Sequence, residues 1–93
     1  MTVLRLHGDD DVAVTTEPIA AGTSVNVSGI GLIHVVDPIP AGHKFATRRL
    51  ERGATVHKYG SIIGVATQPI PTGAHVHTHN LASQRARGGG APE

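Results

Sequence analysis

Ninety-three residues with one Phe, one Tyr and no Trp must build any core from Val, Ile, Leu and Ala, and the absence of Cys excludes disulfides and thiol chemistry. A formal charge of +1 gives no electrostatic reason to bind a polyanion, and the scarcity of aromatics removes the stacking platform of a single-strand nucleic-acid binder. No run is long and apolar enough to span a membrane, and Met1–His7 lacks a secretory apolar region, so a cytoplasmic protein without nucleic-acid or membrane partners is expected.

In chain order, Met1–His7 reads as a first strand from Val3, Leu4 and Leu6, and Gly8-Asp9-Asp10-Asp11 as a turn. The three aspartates lack the glycine-spaced pattern of a calcium loop, so they are read as turn formers. Val12–Thr16 is the next strand. A unit then recurs: an apolar residue, two spacers, a glycine, two more residues and another apolar one. It appears as Ile19…Gly22…Val25, Ile39…Gly42…Phe45, Leu50…Gly53…Val56 and Ile70…Gly73…Val76. The glycine of such a turn can take φ > 0 while its apolar flanks are buried. Three of the four copies place a proline before the first apolar residue, which stiffens the approach and withholds a ladder donor.

Gly22 and Gly53 are 31 residues apart, as are Gly42 and Gly73. The same offset carries Thr16 onto Thr47, Val25 onto Val56 and Gly29 onto Gly60. The pattern predicts an internal duplication within a small all-β domain, because no long window keeps a helical period free of Gly and Pro. Two copies are too few for a solenoid. Leu81-Ala82-Ser83 is expected to leave the domain, giving a domain over 1–82 and a disordered tail over 83–93.

Repeated positions are explained by folding; positions that differ between the halves call for another reason. The titratable residues concentrate in the second half: His43-Lys44, His57-Lys58-Tyr59 and His75-Val76-His77-Thr78-His79-Asn80. On a strand, His75, His77 and His79 would line one face about 6.5–7 Å apart at Cα. Such a row suits metal binding or proton transfer near neutral pH, and equally an edge strand with solvated imidazoles. The Arg48-Arg49-Leu50-Glu51-Arg52 cluster is read as a solvated turn. No P-loop, dinucleotide fingerprint or activated Ser or Cys is present. The remaining kit of imidazoles, lysines and glycine-turn amides suits acid–base or metal-assisted chemistry on an anion. It is incomplete for a stand-alone enzyme, since so small a domain has little room to enclose a substrate.

Three segments carry a resemblance. Ala41-Gly42-His43-Lys44-Phe45-Ala46, Lys58-Tyr59-Gly60 with Ile63-Gly64, and Gly73-Ala74-His75-Val76-His77-Thr78-His79-Asn80 resemble the N-terminal SAF-type β-clip module of the UxaA family of altronate and galactarate dehydratases. The similarity runs from about His7 to Leu81 and keeps the motifs in order. It implies a small β-clip domain acting as the small subunit of a lyase, partnered by a large UxaA-type catalytic subunit. The implied chemistry is β-elimination from an anionic 2-hydroxy acid, a sugar acid such as altronate or alternatively sulfolactate, with a divalent metal such as iron(II). Carried over residue by residue, the resemblance implies His77 and His79 as metal ligands, His43 as an acid–base group, and Lys44, Lys58 and Asn80 as substrate contacts. His75 stands where the family is variable, and Asp11 where the family usually has Asn; neither is given a role. Other SAF-type domains bind or position without catalysis, so a non-catalytic ligand-binding module is the rival expectation.

Overall fold

A computed structural model describes residues 2–83. They form nine short strands and no helix: β1 (Val3–Leu4), β2 (Val12–Thr15), β3 (Ser24–Val27), β4 (Gly31–His34), β5 (Lys44–Ala46), β6 (Thr55–Lys58), β7 (Ser61–Ala66), β8 (His75–Val76) and β9 (Leu81–Ser83). All pairings are antiparallel. A central sheet runs β1-β2-β5-β8, flanked by a β3-β4 hairpin and a three-stranded sheet β6-β7-β9. The all-β expectation holds.

The duplication is visible in the hydrogen bonds. Gly22 N donates to Val35 O at 2.7 Å and, 31 residues on, Gly53 N donates to Ala66 O at 2.8 Å. Gly42 N donates to Thr15 O and Gly73 N to Ala46 O, both at 2.8 Å. Ile19 bridges Ile39 as Leu50 bridges Ile70. The four turn glycines have φ of 90°, 81°, 88° and 85°, a region that penalises any Cβ. At Gly73 space is lacking as well, since a Cβ there would collide with the His34 carbonyl.

Each half has its own core. Ile19, Val25, Val27, Ile33, Val35 and Ile39 pack in one, and Leu50, Val56, Ala66, Ile70, Ala74 and Val76 in the other. Strand alternation sends neighbouring residues to opposite faces, and the central sheet uses this to join the halves. Val12 of the first half packs in the second core, and Phe45 of the second half packs in the first. Both are at most 1% exposed. Each buried aliphatic side chain contributes about 1.5–3 kcal/mol.

Four expectations are corrected. The first strand spans only Val3–Leu4, because Arg5 turns the chain: its Nε donates to Asp10 O at 3.1 Å and its Nη2 to Gly8 O at 2.8 Å. The histidine strand stops at Val76, and residues 77–80 form a turn in which Asn80 N and Leu81 N both donate to His77 O. Residues 81–83 do not leave the domain; Leu81, Ala82 and Ser83 pair with Ala66, Val65 and Gly64. Gly64 permits this approach, since a Cβ on it would strike the Ala82 carbonyl. Arg48 is not merely solvated, because its Nε holds Asp11 Oδ1 at 2.6 Å. The rest of the expected tail, 84–93, lies outside the described residues.

Candidate functional site

His43 follows the Gly42 turn, and His75 follows Gly73 and Ala74 in the equivalent turn 31 residues later. Pairing of β5 with β8, with Phe45 opposite His75, brings the two turns side by side. His43 Nδ1 and His75 Nε2 are then 2.8 Å apart, so one ring carries the shared proton and the other accepts it. The His77 ring stacks on His43 at 4.5 Å between centroids and 15° between planes. His75 also lies 5.5 Å from His77 and 5.6 Å from His79. His75, unassigned by the resemblance, is therefore the ring that touches the other three.

The loop that presents His77 and His79 is held from beneath by Asn80. Asn80 is 4% exposed. Its Oδ1 accepts from His77 N at 2.9 Å and its Nδ2 donates to His75 O at 2.8 Å. Asn tends to divert the backbone from a ladder in this way, which is why strand alternation ends here. The Asn80 amide is thus committed to its own loop. On the far side, Asp37 Oδ2 accepts from His75 N at 2.9 Å.

Beside the rings opens a pocket of about 290 Å³ lined by Lys44, Lys58, His77, Thr78 and Ser83, with Ile63 and Leu81 forming its apolar side. Among the described residues no carboxylate lines it. Burial, and then the Lys58 charge, lower the Lys44 pKa from the usual lysine value. Burial lowers the His75 pKa, helped by His77, His43 and His79 and opposed by Asp37. Burial also lowers the His77 pKa, followed by His43, Lys44 and His79. Both imidazoles are accordingly neutral near pH 7, as a general base requires.

The donor arrangement does not fit a metal held by this chain alone. In-plane lone pairs of two stacked rings point past each other, and His43 Nδ1 and His75 Nε2 already engage one another. No group of three or more His, Asp or Glu side chains among the described residues is arranged to hold an ion.

The acidic turn is more than a turn. Asp11, 4% exposed, accepts from Arg48 Nε at 2.6 Å and His57 N at 2.8 Å, with His57 Nδ1 at 3.0 Å. Asp10 Oδ1 accepts from Gly60 N at 2.8 Å, fixing the β6–β7 turn in which Tyr59 has φ of 55° and Gly60 of 77°. Together the two carboxylates anchor the end of β6 that carries Lys58. Alternation and motif could not reveal Asp11, Asp37 or the centrality of His75, because their partners lie 32–46 residues away.

A β-clip built on two glycine-turn units, with imidazoles from both equivalent turns beside a lysine pocket, defines an anion-handling module of SAF type. Residues 1–84 match the family described as the altronate/galactarate dehydratase SAF domain, and the chain belongs to that family, as its three motifs imply. It is 40% identical to altronate dehydratase of Escherichia coli K12 over 80 residues, 86% of this chain and 16% of that enzyme. It is 35% identical over 77 residues to altronate dehydratase of Bacillus subtilis, 83% of this chain and 15% of that one. The chain thus spans about one-sixth of these dehydratases. It is also 49% identical to (2R)-sulfolactate sulfo-lyase subunit alpha of Chromohalobacter salexigens over 51 residues, 55% of this chain and 54% of that subunit, so the two chains are close in length. No helix among the described residues is long and apolar enough to cross a membrane.

Proposed function

We propose that this chain is the small subunit of a UxaA-type lyase of the cytoplasm, which eliminates the β-substituent of an anionic 2-hydroxy acid in a site completed by a large partner subunit. The observation that carries the reading is the contiguity of the imidazole cluster with a lysine pocket free of carboxylates among the described residues. Lys44 and Lys58 hold the substrate carboxylate and the charge that grows on its oxygens as the α-proton leaves. His43, with its partner ring His75, exchanges that proton. In dehydration the protonated imidazole returns it to the departing β-hydroxyl, and water leaves. Asn80 acts as a positioning residue, fixing the backbone that presents His77 and His79. An iron(II) ion in the assembled site would draw its ligands largely from the partner, with His77 and His79 at the rim of this chain's contribution.

A sugar acid such as altronate is the first substrate class, by similarity to the dehydratases. A second reading is a sulfolactate sulfo-lyase subunit, favoured by the matching chain length. Sulfite is a better leaving group than hydroxide, so that reaction asks less of the acid. The test is reconstitution with a UxaA-type large subunit. The isolated chain should show no turnover, the complex should eliminate, and His43→Asn in the complex should cost at least a hundredfold in kcat without loss of assembly. Turnover by the isolated chain, or a fully active His43→Asn complex, overturns the reading.

A further inference from the structure

We infer that the Lys44/Lys58 pocket takes a doubly charged acid, one carrying a second anionic group besides the carboxylate of the 2-hydroxy acid. This rests on the reading of the pocket as the substrate's anion site and narrows the substrate class. Two lysines line one pocket of about 290 Å³, and none of the lining residues is a carboxylate that would neutralise either. Lys44 is half-buried on β5, and Lys58 ends β6, held by the Asp10-anchored turn. The Asp11 carboxylate is committed to Arg48 and His57, so it is not a counter-ion for the pocket. The mutual repulsion of the two ammonium groups, felt at Lys44, is a standing cost in the free chain. A monoanion compensates one of them, whereas a dianion compensates both and removes the repulsion. His77 and the Thr78 and Ser83 side chains line the remaining wall and suit hydroxyl groups between the two charges. The shared chemistry is two anionic ends on a short hydroxylated frame, either two carboxylates or a carboxylate and a sulfonate.

The test uses the full 93-residue chain labelled at its lysine side chains, titrated near pH 7 with three acids on one 2-hydroxypropanoate frame. Lactate is the monoanion, malate the dicarboxylate and 3-sulfolactate the carboxylate–sulfonate. At least one dianion should shift the Lys44 and Lys58 ammonium signals with a Kd at least tenfold below that of lactate. Malate alone doing so assigns a dicarboxylate, 3-sulfolactate alone a sulfonate, and both a site that reads charge only. Lys58→Gln, with Lys44→Gln as the second variant should the first fail to fold, should bring the dianions to within about twofold of lactate. Equal affinity for all three acids, a preference that survives both substitutions, or no shift at either lysine overturns the inference. The reading of the preceding subsection is judged separately, by elimination in the reconstituted complex. Turnover of a monoanionic sugar acid with no dianion preference leaves that reading standing and this inference fallen. Dianion binding without turnover does the reverse.

Discussion

His43 Nδ1 and His75 Nε2, 32 residues apart in sequence, share a hydrogen bond of 2.8 Å because the turns that precede them are equivalent units of the duplicated fold. The bond locks each imidazole to one tautomer at a time and orients the ring that faces His77. In His75→Phe the ring stack keeps an aromatic partner but the bond is gone. The His43 tautomer ratio, read from nitrogen–proton couplings, should change markedly while Tm moves little. An unchanged ratio would show that the backbone alone sets the His43 ring.

Asn80 ties the histidine loop through two backbone bonds in a site that is 4% exposed. Asn80→Ala leaves His77 N and His75 O without those partners and should cost about 2–3 kcal/mol in chemical denaturation. Asn80→Asp can keep the acceptor role but loses the donor, and should fall between the two. A cost below about 0.5 kcal/mol would mean that the turn is fixed by its own backbone.

Acid should weaken this fold through the cluster. The pKa values of His75 and His77 are lowered from 6.5 in the folded chain, so the unfolded chain binds these protons first as pH falls. Stability therefore rises with pH from the lowered values up to about 6.5, and these two groups add no slope above it. In metal-free buffer Tm should drop on acidification from pH 6.5 towards 5. The double variant His75→Gln/His77→Gln should flatten that segment. An equally steep drop in the variant would place the effect in other groups.

The Asp11 assembly should respond asymmetrically. Arg48 is 56% exposed at its side chain against 5% for Asp11. Arg48→Ala removes a half-solvated partner and should cost within about 1 kcal/mol. Asp11→Ala strands the His57 amide and the Arg48 guanidinium together, and should cost about 3 kcal/mol. Equal costs in urea denaturation would mean that the salt bridge, rather than the backbone bond to His57, is what matters.

Much of the fold was legible because its rules are local. Glycines at a fixed offset, each between apolar flanks, announced turns that the backbone repeats bond for bond, as with Gly42 to Thr15 and Gly73 to Ala46. The meeting of His43 with His77 follows from the same offset. What stayed hidden depended on side-chain partners far along the chain. Alternation overextended the histidine strand because it could not weigh Asn80 against a ladder. Composition made the Asp10-Asp11 pair a generic turn, since nothing local reveals that Arg48 and His57 come to it. The small Leu81-Ala82-Ser83 segment looked like an exit, yet Gly64 opposite it leaves the room that lets it pair.

The exchange of Val12 and Phe45 between the two cores sets how the molecule can come apart. Neither half can melt while the other persists, for each would take with it a side chain that plugs its neighbour. A peptide of one repeat would lack that plug and could find it only in a second molecule, so its folding would depend on concentration. Joining two repeats in one polypeptide turns that association into an intramolecular step. A dilute solution of this chain should therefore fold as readily as a concentrated one, where a single repeat would fall apart.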